Sequence, residues 1–341
     1  GPGGPGGPGG PGGPGGPGGS SGSPAAAGLT PQQLWKQYNL PGVNGGAGQL
    51  VAVVIDGADT NIDSDLQTYS TGLGLPQCTV ASGCLTIKYQ GGQPIAPGAD
   101  AAESVLDIET IHAIAPKAKL LLYDVQKSSA GLATGPSEII KTPGLKAINM
   151  SYGFGASTPQ YQALYANNPN HVALFSASGD NGHSTTSYPA GYPGVIAVGG
   201  TTITNGVEAA WSGSGGGLTT FAEPADQKTY GVPQANGKRA YPDVAAVAGT
   251  HIATYQQGRW IGMVGTSVAS PIWTGIAALV NKPITPDLLY SLAKQHPDAF
   301  QDITSGSNGS CGFECTAQPG YDYITGLGTP KNFVKDVNAM P

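Results

Sequence analysis

Along the chain, short apolar runs alternate with stretches of helical periodicity. Leu50 to Ile55 is a continuous apolar run of strand length, and Leu120 to Val125, Ala147 to Met150, Val172 to Ala177 and Val195 to Val198 repeat it. Between them, Asp100 to Ile114, Pro136 to Lys141 and Gln160 to Ala166 read as helices. Strands that are apolar on both faces and separated by helices predict a parallel sheet covered on each side. A first helix is expected after Leu29, with Thr30 as its cap and Pro31 at its first position. The chain turns Gly-rich from Ser212 to Gly217, and the last strong helix is expected from about Ser267 to Val280. No break or repeat divides residues 25–341, which predicts one α/β domain. Residues 1–24 differ: six Gly-Pro-Gly triplets, each with a second Gly, lead into Ser20 to Pro24. That is a poor collagen sequence and reads as a disordered linker. The absence of an apolar leader before it predicts a processed form.

Composition narrows the function. The chain carries 15 Lys and Arg against 21 Asp and Glu, 11% charged in all, where a soluble domain averages about 25%. A net charge of -6 and a pI near 5.2 argue against nucleic acid as a partner. No apolar run reaches the roughly 18 residues of a membrane helix. An apolar fraction of 39% supports a real core. With every carboxylate protonated, the 15 Lys and Arg and five His reach at most +20 before the termini. Average composition would give roughly twice that, and self-repulsion drives acid unfolding, so this composition tolerates acid. The four Cys fall as two local pairs, Cys78 with Cys84 and Cys311 with Cys315, without zinc-ribbon spacing and with no His beside either in sequence. Two short disulfides in an oxidising compartment are expected, with four separate buried thiols as the alternative.

Chemistry concentrates in three segments. Gly265-Thr266-Ser267 precedes an apolar helix and reaches Pro271. A Ser there is most often a cap, yet a helix N-terminus also suits a nucleophile whose oxyanion needs N–H groups. The stretch resembles the nucleophile motif of the subtilisin-like fold, and Pro271 is expected in the first turn, where its missing N–H is tolerated. Val54-Ile55-Asp56-Gly57 imitates the strand that carries the subtilisin Asp, but no His-Gly-Thr-His segment follows. His112, on the corresponding helix, is followed by Ala-Ile-Ala, and His171, His183, His251 and His296 also lack that context. Glu103 and Asp107 occupy the expected place, four residues apart on one helix face. Such a pair is usually solvated; here its neighbours are Ala101, Ala102, Val105, Leu106 and Ile108. Two adjacent carboxyls share a proton, and one of them accepts a Ser proton at a pH where imidazole is already charged. Asp180, in Ser178-Gly179-Asp180-Asn181-Gly182, stands where subtilisins place an oxyanion-binding Asn; a protonated carboxyl donates as that amide does.

In this order and spacing, Glu103-x-x-x-Asp107, Ser178-Gly179-Asp180 and Gly265-Thr266-Ser267 resemble the sedolisin, or serine-carboxyl peptidase, family, and the kumamolisin branch most closely, over roughly residues 28–335. The resemblance implies a subtilisin-like three-layer α/β fold with a mainly parallel central sheet and helices on both faces. It implies Ser267 as nucleophile, Glu103 as general base and acid, Asp107 orienting Glu103, and Asp180 in the oxyanion hole. Ser151-Tyr152-Gly153 resembles the family's substrate-binding segment, with Tyr152 in place of Trp, and Gly215 and Gly216 resemble the opposite wall of the cleft. Asp56 stands where kumamolisins have a Glu linked to the catalytic acids. Residues of about 300–328 resemble the family's calcium loop; by position, one structural Ca²⁺ would bind the Asp302 and Asp322 side chains and the carbonyls of Ile303, Gln318 and Gly320. The expectation is a secreted, monomeric, acid-active endopeptidase acting on polypeptides in an acidic extracellular environment. It would be released from an N-terminal prosegment that serves as inhibitor and chaperone. A tripeptidyl-peptidase of the same family, a catalytically dead binding homologue and a conventional subtilase are the rivals.

Overall fold

The computed structural model describes residues 20–154 and 159–341; the Gly-Pro tract at 1–19 lies outside the described residues. The linker boundary expected at residue 24 moves, because Ser20 and Ser21 pair antiparallel with Ile261 and Trp260. The first full helix, α1 (Pro31–Tyr38), starts as its sequence dictates: Thr30 accepts from the Gln33 amide, and the Gln33 side chain accepts from the Thr30 amide.

Seven parallel strands form the central sheet among the described residues: β1 (Leu50–Asp56), β2 (Leu85–Tyr89), β3 (Lys119–Val125), β4 (Leu145–Met150), β5 (Ala173–Ala177), β6 (Ile196–Thr204) and, further along, β8 (Val244–Val247). Between the last two in sequence, β7 (Val207–Ala210) turns back antiparallel on β6. The spatial order is β8-β6-β5-β4-β1-β3-β2. The apolar runs are strands because both faces are covered: β1 is buried from Val51 to Asp56. Two long helices pack on each other and on the sheet, α3 (Ala101–Ile114) and α6 (Thr266–Ala277). In chain order between them lie α4 (Ser129–Ile139) and α5 (Pro159–Ala166), a second helix pair. Every residue of α6 is buried.

The structure differs from the periodicity reading in several places. The helix expected at Pro136 to Lys141 is α4, which begins two turns earlier because Ser128 caps it by accepting from the Gly131 amide. Pro136 then sits inside the helix and cannot bond the Leu132 carbonyl; the Tyr152 hydroxyl donates to that carbonyl instead, at 2.8 Å. The Ser267 helix is not the last strong one: α7 (Pro286–Gln295), capped by Thr285, follows it. A helix over Ile62–Leu73 was hidden by its polar composition, although Ile62, Leu66, Tyr69 and Leu73 form its buried stripe. Pro271 is also not in the first turn. With the helix starting at Thr266, Pro271 is its sixth residue and leaves the Ser267 carbonyl without its usual donor.

Because the strands are parallel and in register, their carboxyl ends lie side by side, where ligands bind in open α/β sheets. Asp56 ends β1, Ser151 follows β4, and Ser178 to Asp180 follow β5. The amino ends of α3 and α6 carry Glu103 and Ser267 toward the same side.

Candidate active site

Ser267 is the second residue of α6, entered through Gly265 at φ 130°, a left-handed conformation that a side chain rarely adopts. The Asp180 turn uses the same device at Gly179, φ 122°. Thr266 joins the two turns: its amide and hydroxyl both donate to Asp180 Oδ1, at 2.7 and 2.8 Å, and its hydroxyl accepts from the Gly179 amide at 3.1 Å. Thr266 was visible in the sequence only as the middle of Gly-Thr-Ser, with no role of its own.

Glu103 and Asp107 face Ser267 from α3. Both are buried, at 1% and 0% exposure, and so is Ser267, at 0%. None of the three makes a conventionally aligned hydrogen bond among the described residues. They meet one another instead: Glu103 lies against Asp107 and Ser267, and Asp107 against Glu103 and Ser151. Two carboxyls side by side in a buried site repel when both ionise, so the pair favours holding one proton between them. Burial pushes Glu103 well above the ordinary carboxylate range, the Asp107 charge pushes it further, and the Ser267 hydroxyl opposes both. Burial likewise raises Asp107, against the hydrogen bonds from Glu103 and Ser151.

Asp180 is pushed up to about 6 by burial, opposed by the two Thr266 bonds. Below that pH its carboxyl is neutral, and with Oδ1 occupied by Thr266, Oδ2 is the oxygen left to carry a proton. Asp56 is 3% exposed and its Oδ1 has no conventional partner among the described residues. It meets Asp100, the residue before α3, rather than Glu103 or Asp107.

The other expected site residues divide. Ser151 is buried, its hydroxyl accepting from Asn149 Nδ2 at 2.9 Å and lying against Asp107, so its side chain serves the acid pair. The Tyr152 ring is buried under α4. The main chain of Tyr152 and Gly153 makes no hydrogen bond among the described residues. Gly215 and Gly216 are buried; the Gly215 amide bonds the Gly179 carbonyl at 2.9 Å. A Cβ on Gly215 would strike the Ser178 carbonyl, and one on Gly216 the Tyr323 carbonyl. Gly215 braces the Asp180 turn, and Gly216, whose carbonyl accepts from the Ser184 amide, packs against Tyr323 and Pro242. His112 is buried with Nε2 2.8 Å from the Pro76 carbonyl, and burial lowers it to about 4.

Both disulfides form, Cys78 with Cys84 and Cys311 with Cys315. His183, distant in sequence, does stand beside the second pair: its ring lies within 4.8 Å of both sulfurs. Bonded to each other, these sulfurs offer no thiolate, and His183 pairs with Glu314 at 3.2 Å.

In the C-terminal loop, Asp302 accepts from the Gly320 amide at 2.9 Å, and Asp322 from the Ile324 and Thr325 amides. The two carboxyls are close enough for the Asp302 charge to raise Asp322, which burial already pushes up to about 7. No cationic side chain meets either among the described residues. The carbonyls of Ile303, Gln318 and Gly320 accept no hydrogen bond there. Two carboxylates without a counter-charge and three unpartnered carbonyls form a hard-oxygen set that fits Ca²⁺.

A family model described as the subtilase family matches residues 91–291, which hold Glu103, Asp107, Asp180 and Ser267. The chain belongs to the subtilase family. Kumamolisin of Bacillus sp. (strain MN-32) is 27% identical over 90% of this chain and 62% of its own length. Sedolisin of Pseudomonas sp. (strain 101) is 27% identical over 89% and 60%, and human tripeptidyl-peptidase 1 is 26% identical over 89% and 63%. Together with the family match, these relatives support the sedolisin family and its kumamolisin branch. The chain spans about three fifths of the length of the curated relatives it matches. A solved structure of Pseudomonas sedolisin, a serine-carboxyl proteinase complexed with two molecules of pseudo-iodotyrostatin, superposes with a TM-score of 0.79. It has 26% identity and covers 92% of this chain and 97% of that one. The subtilase fold here is thus the mainly parallel, helix-covered sheet expected from the apolar runs.

Proposed function

We propose that this subtilase is an acid-active serine-carboxyl endopeptidase. The observation that carries the reading is the buried Glu103–Asp107 pair facing Ser267 from the helix on which the alternative base, a histidine, is turned away into the core. Ser267 Oγ attacks the scissile carbonyl carbon while its proton passes to Glu103, which Asp107 orients and whose charge the shared proton moderates. The carbonyl π pair moves to oxygen, and the oxyanion accepts from the neutral Asp180 carboxyl, held in place by Thr266. As the tetrahedral species collapses, Glu103 gives its proton to the departing amine. Water then attacks the acyl ester, Glu103 takes the water proton, and Ser267 recovers it. An extended peptide would pair with the open main chain of Tyr152 and Gly153.

Asp302 and Asp322, with the carbonyls of Ile303, Gln318 and Gly320, would hold one Ca²⁺, which supplies charge neutralisation and stiffens the loop. Two disulfides and a sparsely charged surface suit secretion into an acidic medium. The relatives' names extend the proposal to polypeptide substrates and, through their greater length, to maturation from a prosegment. As the described residues hold no helix long and apolar enough to cross a membrane, no anchor is invoked.

The test is cleavage of a peptide library at pH 3–5 and at pH 7. Internal cleavage confined to acid, and lost in Ser267→Ala, is expected. Release of N-terminal tripeptides alone would replace the endopeptidase reading with the exopeptidase one, and full activity in Ser267→Ala or an optimum at neutral pH would overturn the mechanism.

A further inference from the structure

The catalytic pair is sealed, with both acids and Ser267 at 1% exposure or less, so its protonation depends on whatever charges the fold fixes nearby. Asp100, Glu103 and Asp107 fall at i, i+3 and i+7, one stripe on α3. Asp100 occupies the N-cap position but makes no capping bond: its side chain turns from the helix amides toward Asp56, at the carboxyl end of β1. Asp56 is buried and Asp100 is partly exposed. Where two carboxyls touch, one must hold a proton. Burial places that proton on Asp56, and the touching pair keeps one negative charge.

The charge is not neutralised locally. Asp124, on β3, faces Asp56 and accepts from the Ala58 amide at 3.2 Å, so it adds the same sign. Lys127, just after β3, acts on Asp124 and lays its stem over Gly57 and Gly98. Asp59, whose amide bonds Ser104 on α3, acts on Asp65 and Glu109. The Tyr152 ring lies near Asp56 and Asp107. The preceding segment, 91–99, contributes no titratable residue.

We propose that Asp100, held against Asp56, is a positioning residue: it fixes a negative charge one turn before Glu103 and thereby sets where the acid limb of the peptidase profile falls. The charge acts on Glu103 from one turn away, at the 5–6 Å Cβ spacing typical of i, i+3 neighbours, and more weakly on Asp107 from two turns away, and it favours retention of the protons they share. The inference rests on the proposed function, because the acid limb is taken as the pair binding its second proton and losing its capacity to accept from Ser267.

The experiment compares the folded enzyme with Asp100→Asn and Asp100→Glu, measuring kcat/KM on one internally cleaved peptide across about pH 2–8. Removing the charge should move the acid limb of Asp100→Asn to lower pH by about 0.5–1 unit. On that limb its relative activity rises about three- to tenfold, while the plateau rate stays within a few-fold. Asp100→Glu should return the limb toward wild type. A uniform loss of rate with the limb unmoved, or movement to higher pH, would overturn the proposal. Infrared titration of the carboxyl stretch in the Ser267→Ala background gives a readout free of turnover. A wild-type protein without acid peptidase activity refutes the proposed function, whereas a buried-pair titration unchanged by Asp100→Asn refutes the role of Asp100.

Discussion

Asp180→Asn replaces a donor that exists only when protonated with one that exists at every pH. In the wild type, Asp180 titrates near 6 because burial disfavours its charge and the Thr266 amide and hydroxyl only partly offset that cost. About one molecule in ten should keep the proton at pH 7 and about one in a hundred at pH 8. If the neutral carboxyl donates to the oxyanion, that limb of kcat/KM falls about tenfold per pH unit above 6. The amide of Asn keeps Oδ1 for the bonds that Thr266 makes at 2.7 and 2.8 Å and presents N–H where Oδ2 stood. The ratio of variant to wild-type activity should therefore rise about tenfold between pH 4 and pH 7. Asp180→Ala, with neither donor, should lose on the order of 10²–10³ relative to wild type at pH 4, with the gap narrowing above pH 6 as the wild type loses its own donor. Initial rates on an internally quenched peptide from pH 3 to 8 measure this, with circular dichroism at each pH to confirm folding. An Asn variant that declines with the wild-type midpoint, or an Ala variant with wild-type rates, would refute the oxyanion role of Asp180.

Stability should also depend on pH, with the sign set by acids whose folded pKa is raised: Asp56 to about 8, Asp65 to about 6, Glu109 well up, each chiefly by burial. Their contribution is full below the unfolded carboxylate pKa near 4 and lost as pH rises through 6 to 8. Thermal scans should show Tm highest near pH 4 and lower by at least several degrees at pH 8; a Tm that rises toward neutrality contradicts this. Arg239→Ala leaves Asp243 buried without the guanidinium that bonds both its oxygens at 2.7 and 2.9 Å, and urea unfolding should report a loss of about 3–5 kcal/mol. Chelation at pH 6 should lower Tm and Ca²⁺ should restore it, by about 2.7 kcal/mol at a hundredfold excess over Kd; Asp322→Asn should abolish the response.

Parallel architecture was legible because β1, β3, β4 and β5 are buried along nearly their whole length and therefore mainly apolar, interrupted only by single polar positions such as Asp124, Asn149 and Ser176. Periodicity failed where tertiary partners replace local signals. Pro136 reads as a helix start, yet Tyr152, sixteen residues later, supplies the hydroxyl that lets α4 run through it. Glu103, Asp107, Asp180 and Ser267 stood out because acids in apolar or Gly-rich settings need a reason. Thr266 and Asp100 did not, since Thr before Ser and Asp before a helix are ordinary, and only proximity gives them work. The packing roles of Gly215 and Gly216 depend on carbonyls at Ser178 and Tyr323 that no local pattern announces.

The distribution of charge inside the fold gives the acid reading a basis independent of the catalytic geometry. Among the described residues there are two ion pairs, His183 with Glu314 and Arg239 with Asp243. Five buried acids on or around α3, Asp56, Asp65, Glu103, Asp107 and Glu109, make no ion pair, nor does buried Asp322 in the C-terminal loop. An unpaired buried carboxylate costs several kcal/mol, so a neutral-pH protein with this interior would hold a strongly unfavourable set of charges around one helix. Protonation removes that cost, and in acid the chain has few ion pairs to lose and few positive charges to repel. The same step neutralises Asp180 and leaves the Glu103–Asp107 pair with a proton to share. Stability and the proposed catalysis therefore rest on one condition, carboxyls held neutral by burial, which is why α3 can carry Glu103 and Asp107 at its front and Glu109 at its back.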